Sequence, residues 1–252
     1  MDYRLLGRTG IRVSEICLGT MMFGGRTDEA DSQAIIARAI DAGVNFLDTA
    51  DIYNAGASEE IVGRGIAACR DRVILATKGR NAMGEGPNDS GTSRGYLMRA
   101  LDASLKRMGT DYVDVYYVHS PDYDTPLDET LRALDDMVRS GRVRYVACSN
   151  YRGWYLAKAL SISSQHELER FACVQPLYNI VNRDIEVDLL PLCQDQQIGV
   201  VSYSGLARGI LTGKYTKFGE YPEGSRASLN DPRMTQAELR EASIAVSQRL
   251  VG

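Results

Sequence analysis

The chain has 252 residues, of which 44% are hydrophobic and 25% are charged, and its formal net charge at pH 7 is -4. These proportions are ordinary for a soluble globular protein, and the length allows one large α/β domain or two small ones. Because the charge balance is acidic and no basic stripe is present, nucleic acid is not expected as a partner.

The sequence gives no indication of export, membrane insertion or metal binding. The first ten residues contain no apolar core of signal-peptide length, and no apolar run is long enough to span a membrane. The five cysteines are odd in number and scattered without a CxxC pair, which favours reduced thiols and a cytoplasmic protein. Since the chain has only two histidines, no metal centre is expected.

A β-hairpin is predicted at the start of the chain, over residues 3–16, with its turn near Thr9 and Gly10. Apolar, β-branched or aromatic runs follow at intervals of roughly thirty to forty residues, the length of one strand-helix unit. Both faces of each run are apolar, which is typical of parallel strands covered by helices. The runs predict seven strands, at Ile16–Leu18, Phe46–Leu47, Val73–Ala76, Val113–Val118, Val143–Ala147, Cys173–Leu177 and Val200–Tyr203.

Amphipathic patterns between these runs predict helices. The clearest pattern covers residues 125–141, with Thr125 as the N-cap and Gly141 as the stop. A similar pattern over residues 93–109 has Ser93 as its cap. Weaker patterns predict helices over residues 31–43, 58–68, 152–168 and 186–197.

Seven strand-helix repeats without a linker-like break predict a parallel (β/α) barrel, in one domain that spans residues 1–252. A doubly wound open sheet is the alternative. Residues 79–92 and 206–235 are predicted to form long loops, and loops of that length in a compact domain are more often functional than idle.

Polar side chains close the predicted strands. Asp48, Lys78 and His119 end three successive strands, and Tyr53 follows the first of them in a loop. Taken singly, Asp48 would serve to cap a turn, Lys78 would reach solvent, and His119 would be a hydrogen-bonded core residue. Taken together, they converge at the carboxyl end of a barrel, where such enzymes build their sites. Later strands close on Ser149 and Asn150, on Gln175, and on Tyr203 and Ser204.

Four of these residues are suited to protonating an oxygen atom. A free tyrosine titrates near pH 10, so Tyr53 is a weak but available acid, and an ammonium group such as that of Lys78 would favour its phenolate. Asp48 would hold and orient the buried lysine. His119 would position a carbonyl oxygen by hydrogen bonding.

These residues resemble the Asp-Tyr-Lys-His tetrad of the aldo-keto reductases, in the pattern Asp48-Thr-Ala-x-x-Tyr53, Lys78 and His119. The resemblance covers essentially the whole chain, in order. Within the family, the sequence is most similar in character to the bacterial and potassium-channel β-subunit-like branch. It implies reversible reduction of an aldehyde or ketone to an alcohol, with the hydride from NADPH or NADH and the proton from Tyr53. The further matching segments are LGTMMFG at 18–24, ACSN at 147–150, VQPLYN at 174–179 and YSGLARGILTGKY at 203–215.

The resemblance also implies a (β/α)8 TIM barrel that binds its nucleotide without a Rossmann fold, and it assigns the cofactor contacts. Ser149, Asn150 and Gln175 would hold the nicotinamide carboxamide, and Tyr203 would stack on the ring. The other expected contacts are Gly19, Thr20, Met21, Asp48, Ser204, Gly205, Leu206, Arg208, Lys214 and Arg226. The segment Gly63-Arg-Gly65-Ile-Ala-Ala68 fits a dinucleotide fingerprint loosely, but it follows no strand, so we interpret it as a helix-packing segment.

The family pattern continues beyond the last residue of this sequence. The sequence ends in the segment that resembles the seventh helix of the family. We therefore expect the eighth β/α unit, and the contacts to an adenosine 2′-phosphate, to lie outside this sequence. The choice between NADPH and NADH therefore rests on analogy. The expected partner is a small carbonyl compound, and the expected state is a monomer or a weak oligomer.

Two other functions are compatible with the same residues. The first is a cofactor-binding regulatory or sensor protein whose turnover is incidental. The second is a barrel lyase or aldolase that uses Lys78 as a Schiff-base nucleophile.

Overall fold

An antiparallel hairpin opens the chain in the computed structural model, which describes residues 1–251. Its strands are β1 (Tyr3–Leu5) and β2 (Arg12–Ser14), and the predicted turn lies between them. Leu6 and Val13 of the hairpin are buried against the main sheet. The hairpin therefore covers one end of that sheet.

Seven parallel strands form the main sheet, and they are hydrogen-bonded in the order in which they occur along the chain. Because this order never reverses, the doubly wound alternative is wrong. The sheet curls in the manner of an α/β barrel, which confirms the predicted fold class, and its edge strands within residues 1–251 are the first and the last. The strands are β3 (Cys17–Gly19), β4 (Phe46–Asp48), β5 (Ile74–Gly79), β6 (Val113–Val118), β7 (Val143–Ser149), β8 (Cys173–Gln175) and β9 (Gly199–Val200).

Helices connect the successive strands and cover the outer face of the sheet. Their bounds are α1 (Glu29–Asp41), α2 (Ala57–Ile66), α3 (Arg94–Met108), α4 (Leu127–Arg139), α5 (Gly153–Gln165) and α6 (Leu189–Gln196). All six fall where the amphipathic patterns predicted helices.

The predicted caps of the two clearest helices differ in outcome. Ser93 caps α3, where its side chain accepts a hydrogen bond from the backbone N–H of Tyr96. The cap predicted for α4 was wrong, because α4 begins one residue later and Pro126 occupies the N-cap position. Thr125 instead donates its hydroxyl to Asp122 at 2.8 Å.

Side chains alternate between the two faces of the sheet. Outward residues such as Leu47, Leu75 and Val146 pack among the helices in one large apolar cluster. Inward residues such as Phe46 and Ala76 pack with the hairpin in a second, smaller cluster. This period of two decides which strand-end residues point into the barrel.

The Gly63–Ala68 segment lies in and just after α2, which confirms that it is not a dinucleotide-binding turn. A Cβ atom at Gly63 would lie 2.3 Å from the carbonyl oxygen of Met108. Glycine is therefore required at this position for close contact between α2 and the end of α3.

A small helical segment follows β9. It contains a 3-10 segment (Ala207–Thr212), α7 (Pro232–Ala237) and α8 (Glu241–Val251), held by an apolar cluster that includes Ile210, Tyr215 and Met234. The predicted loop over residues 206–235 is therefore partly helical. The predicted loop over residues 79–92 is confirmed except for Gly79, which ends β5. Among the described residues, no helix has the length and apolar character needed to cross a bilayer.

Candidate active site

At or just beyond the carboxyl end of each strand of the sheet, a site residue lies two positions after an inward-facing residue. Since side chains alternate, the later residue points into the same interior, at the carboxyl end of the strand. The pairs are Cys17 and Gly19, Phe46 and Asp48, Ala76 and Lys78, Tyr117 and His119, Ala147 and Ser149, Cys173 and Gln175, and Val201 and Tyr203. The barrel geometry thus brings the predicted strand-end residues together.

Lys78 is fully buried and lies at the centre of this group. Its ammonium group donates to the carboxylate of Asp48, to the carbonyl oxygen of Thr49 at 2.8 Å, and to the hydroxyl of Tyr53 at 3.2 Å. Three acceptors therefore use the three N–H donors of the lysine. Gln175 donates its amide to the second oxygen of Asp48 at 2.9 Å.

Tyr53 reaches Lys78 because the chain turns sharply after β4. The amide of Tyr53 donates to the carbonyl of Ala50 at 3.1 Å, and a 3-10 turn (Tyr53–Gly56) follows. Asn54 adopts a left-handed conformation (φ 48°), and its side chain donates to the carbonyl oxygens of Met21 and Phe23. The turn that carries the phenol is thereby joined to the loop after β3.

The charge of Lys78 is stabilised by its neighbours. Burial alone lowers the pKa of a lysine, but the Asp48 carboxylate and the Tyr53 hydroxyl outweigh it, so the pKa of Lys78 lies above its usual value. The lysine is a fixed ammonium ion at neutral pH.

His119 faces the Tyr53 ring edge-on, with 5.8 Å between the ring centroids. Burial, together with the positive charges of Lys78, Arg233 and Arg80, lowers the pKa of His119 to about 3. The amide nitrogen of Asn81 lies 3.0 Å from Nδ1 of His119. With that nitrogen as the donor, the single proton of the neutral ring lies on Nε2, which is then a hydrogen-bond donor.

A cleft of about 1120 Å³ opens over these residues. The tetrad residues Asp48, Tyr53 and His119 line it, and Lys78 lies buried beneath. Of the predicted cofactor contacts, the structure does not bring Lys214 into the lining. Those that do line the cleft are Gly19, Thr20, Met21, Asp48, Ser149, Asn150, Gln175, Tyr203, Ser204, Gly205, Leu206, Arg208 and Arg226.

Four of these cleft residues form one hydrogen-bonded chain. Tyr203 donates its hydroxyl to Asn150 at 2.9 Å, Asn150 donates to Ser149 at 3.0 Å, and Ser149 donates to the Gln175 carbonyl at 2.8 Å. Asn150 is held in a left-handed backbone conformation (φ 60°). The side-chain oxygen of Gln175 accepts no hydrogen bond from residues 1–251 and remains an available acceptor.

Several residues of the cleft and its surroundings were not predicted from the sequence. Asn81 contacts His119, and Arg233 lines the cleft from α7. Glu238 is fully buried, and its carboxylate lies 2.6 Å from Nε of Arg208 without an aligned hydrogen bond. Asn179 donates both to Glu238 and to the carbonyl of Ser204. These polar residues lie in loops or in α7, where no periodic pattern marks them.

Asp51 is a second buried carboxyl group close to the site. Its side chain is fully buried, and neither carboxyl oxygen has a hydrogen-bond partner among the described residues. Burial, and then the negative charge of Glu59, raise the pKa of Asp51 to about 7. Glu59 itself is held by Arg107 at 2.6 Å and by Thr77 at 2.5 Å.

We predict that Asp51→Asn stabilises the protein above neutral pH. An unfolded aspartate titrates near pH 4, below the pKa of Asp51 in the folded protein. The free energy of unfolding therefore falls as the pH rises from about 4 to about 7, and it stays low above pH 7. The variant lacks this loss and should be more stable at pH 8, by on the order of 2–4 kcal/mol, and similar to wild type near pH 4. Urea denaturation across this range measures the difference, and exposed Asp111→Asn is the control. A wild-type stability that rises between pH 5 and 8 relative to Asp51→Asn would contradict the prediction.

No group of three or more His, Cys, Asp or Glu side chains suited to holding a metal ion occurs in the portion of the chain that the structure describes.

Comparison with known proteins identifies the class. The sequence model of the Aldo/keto reductase family matches residues 15–248. The chain therefore belongs to the aldo/keto reductase family, as its tetrad motif indicated, and it is an oxidoreductase by class.

Similar proteins include both enzymes and channel subunits. The uncharacterized oxidoreductase YrpG of Bacillus subtilis (strain 168) is 42% identical, over 86% of this chain and 70% of its own length. A probable voltage-gated potassium channel subunit beta of Oryza sativa subsp. japonica is 39% identical, over 92% of this chain and 71% of its own length. The L-glyceraldehyde 3-phosphate reductase of Escherichia coli (strain K12) is 38% identical, over 97% of this chain and 73% of its own length.

Proposed function

We propose that this protein reduces an aldehyde or ketone to an alcohol, with NADPH or NADH as the reductant and Tyr53 as the proton donor. The observation that carries the proposal is the contact of Tyr53 with the buried Lys78–Asp48 pair, opposite a neutral His119. This arrangement aims one acid and one hydrogen-bond donor at the same part of the cleft.

The roles of the two aromatic side chains follow from their protonation. Because the pKa of His119 is about 3, its ring is neutral at neutral pH and has no imidazolium proton to transfer. His119 is therefore not the general acid. Its Nε2–H would orient the carbonyl oxygen. Tyr53 would then donate its hydroxyl proton to that oxygen, and Lys78, which donates to the Tyr53 oxygen, would stabilise the phenolate that remains.

The lining of the cleft fits a nicotinamide dinucleotide. When bound, this cofactor supplies the hydride that attacks the carbonyl carbon. The free side-chain oxygen of Gln175 suits a carboxamide N–H, and the ring of Tyr203 suits a flat heterocycle. The backbone N–H groups of Gly205 and Leu206 have no acceptor among residues 1–251, and Arg208 follows them. Free amides beside an arginine are suited to a pyrophosphate.

Backbone strain supports a binding role for the same loop. Ser204, Ala207 and Arg208 all have positive φ angles, of 58°, 46° and 52°. Such conformations cost free energy in residues other than glycine and concentrate at ligand-binding sites. The buried Glu238 and Asn179 hold this loop from behind.

Steady-state oxidation of NADPH and of NADH, measured against a panel of aldehydes, ketones and sugars, tests the proposal. We expect turnover of simple aldehydes and include glyceraldehyde 3-phosphate because one relative is named for its reduction. Tight nucleotide binding with no turnover of any carbonyl compound would contradict the enzyme function. That outcome would favour the sensor function, which the similarity to potassium channel β subunits keeps as the second candidate.

The lyase alternative is disfavoured by the state of Lys78. A Schiff-base lysine must be neutral to attack a carbonyl carbon. Here the pKa of Lys78 lies above its usual value once burial is outweighed by Asp48 and Tyr53, and all three N–H donors have acceptors. Borohydride trapping of a substrate on Lys78 would reverse this conclusion.

We propose further that residues 1–252 form a single barrel domain and that the protein is cytoplasmic. The unbroken strand order supports the first proposal. The five free cysteines support the second, since they suit a reducing compartment.

A further inference from the structure

Three arginines line the cleft, and they differ in their partners. Arg208 is paired with the buried Glu238. Within the described residues, neither Arg226 nor Arg233 forms an ion pair with a carboxylate. Asp48 is the one acidic residue in the cleft lining, and its charge is taken up by Lys78. The cleft therefore has more positive charge than its own residues neutralise.

The three arginines also differ in the groups whose charge they influence. Arg208 and Arg226 both act on the charge of Glu238, beneath the loop that we assign to the pyrophosphate. Arg233 instead acts on His119, whose pKa is lowered by burial, by Lys78 and by this arginine. Arg233 also lines the same cleft as His119, the residue that would position the carbonyl group.

Contacts of Arg233 place it near the Tyr53 turn. Its Nη1 lies 3.3 Å from the sulfur of Met21, and the carbonyl oxygen of Met21 accepts from Asn54, the residue after Tyr53. A thioether sulfur is a weak acceptor, so this contact orients the guanidinium without neutralising it. The other side-chain donors of Arg233 have no partner among residues 1–251.

We propose that Arg233 binds an anionic group, a phosphate or a carboxylate, on the carbonyl substrate. The guanidinium fork matches either anion in a bidentate geometry. This inference rests on the proposed reductase function and narrows its substrate class to anionic aldehydes and ketones. The same chemistry would also suit a phosphate of the nucleotide, so the test must separate the two sources.

The test compares two aldehydes that differ by one phosphate group. Glyceraldehyde and glyceraldehyde 3-phosphate are assayed with the wild type, Arg233→Gln, Arg233→Lys and Arg132→Gln, the last an exposed arginine of α4 with the same charge change. We expect Arg233→Gln to lower kcat/KM for the phosphorylated aldehyde by about tenfold to a hundredfold, as loss of a charge-assisted contact would. Turnover of glyceraldehyde should fall by much less, since Arg233 also lines the cleft beside His119, so the ratio of the two kcat/KM values is the readout. Arg233→Lys should recover part of the lost preference for the phosphorylated aldehyde.

Binding measurements identify the source of the anion and do not depend on turnover. Nucleotide affinity is measured by protein fluorescence, and affinity for glycerol 3-phosphate by calorimetry with saturating NADP+. We expect Arg233→Gln to weaken glycerol 3-phosphate binding and leave nucleotide affinity unchanged. Weaker nucleotide binding with an unchanged preference between the aldehydes, or equal losses on both aldehydes, would overturn the proposal. If neither aldehyde is reduced, the reductase function fails. The binding measurement still tests this inference in that case, and the inference is overturned if Arg233→Gln does not weaken the binding of glycerol 3-phosphate.

Discussion

Tyr53→Phe is expected to lower kcat for carbonyl reduction by about 10²- to 10⁴-fold, the usual contribution of a positioned general acid. The substitution removes one oxygen atom and the proton that it would transfer. The Tyr53 ring stays in place because its position depends on backbone contacts of the turn, not on the hydroxyl. Steady-state kinetics with a simple aldehyde measures the effect.

Nucleotide affinity separates this effect from loss of the binding site. Among the described residues, the Tyr53 hydroxyl contacts Lys78 and forms no hydrogen bond with Gln175 or with the loop after β9. We therefore expect Tyr53→Phe to bind NADPH nearly as tightly as the wild type. A phenylalanine variant with near wild-type turnover would remove Tyr53 from the mechanism and leave the proton donor to be sought elsewhere. Tyr178→Phe, at a tyrosine outside the cleft that donates to Glu186, is a matched control.

The barrel and its strand-end residues could be predicted from the sequence because both depend on short periodic patterns. Apolar runs locate strands, and the period of two places Lys78 on the same face as Ala76, and His119 on the same face as Tyr117. Parallel strands in sequential order then bring these ends together. The tetrad is therefore a consequence of topology acting on local patterns.

Residues outside the strands could not be predicted in this way. Arg233 meets Met21 across 212 positions of sequence, and both belong to segments without periodicity. Lys214 was expected in the cleft from the family motif, but its ammonium lies 5.3 Å from the Tyr215 ring centroid and is absent from the cleft lining. In both cases tertiary packing of the segment after β9 decides where the cation lies.

The burial of Asp51 and Glu238 also could not be predicted from the sequence. Each is an acidic residue in a polar stretch of sequence, where solvent exposure would be the ordinary expectation. Both are fully buried. Asp51 is carried inward by the turn that positions Tyr53, and Glu238 by the packing of α7 against the 204–212 loop. Burial of such groups depends on the finished fold and has no local sequence signal.

Lys78→Met should abolish most turnover and also destabilise the protein. The substitution leaves the Asp48 carboxylate with only Gln175 as a partner in a site that is 9% exposed at that side chain. Removing one member of a buried ion pair costs about 3–5 kcal/mol. Turnover should fall by about 10²- to 10⁴-fold, since the Tyr53 oxygen loses the cation that would balance its negative charge.

The double variant Asp48→Asn with Lys78→Met separates these two effects. An amide at position 48 needs no counter-ion and can still accept from Gln175, so most of the stability lost in Lys78→Met should return. Turnover should not return, because no ammonium group contacts the Tyr53 hydroxyl. Urea denaturation and aldehyde kinetics on the wild type, the two single variants and the double variant form a complete cycle. Recovery of turnover together with stability would mean that Lys78 serves only to neutralise Asp48. Recovery of stability alone would assign Lys78 to the chemistry at Tyr53. The stability would then depend on neutralising the Asp48 carboxylate, whereas the turnover would depend on the ammonium group of Lys78.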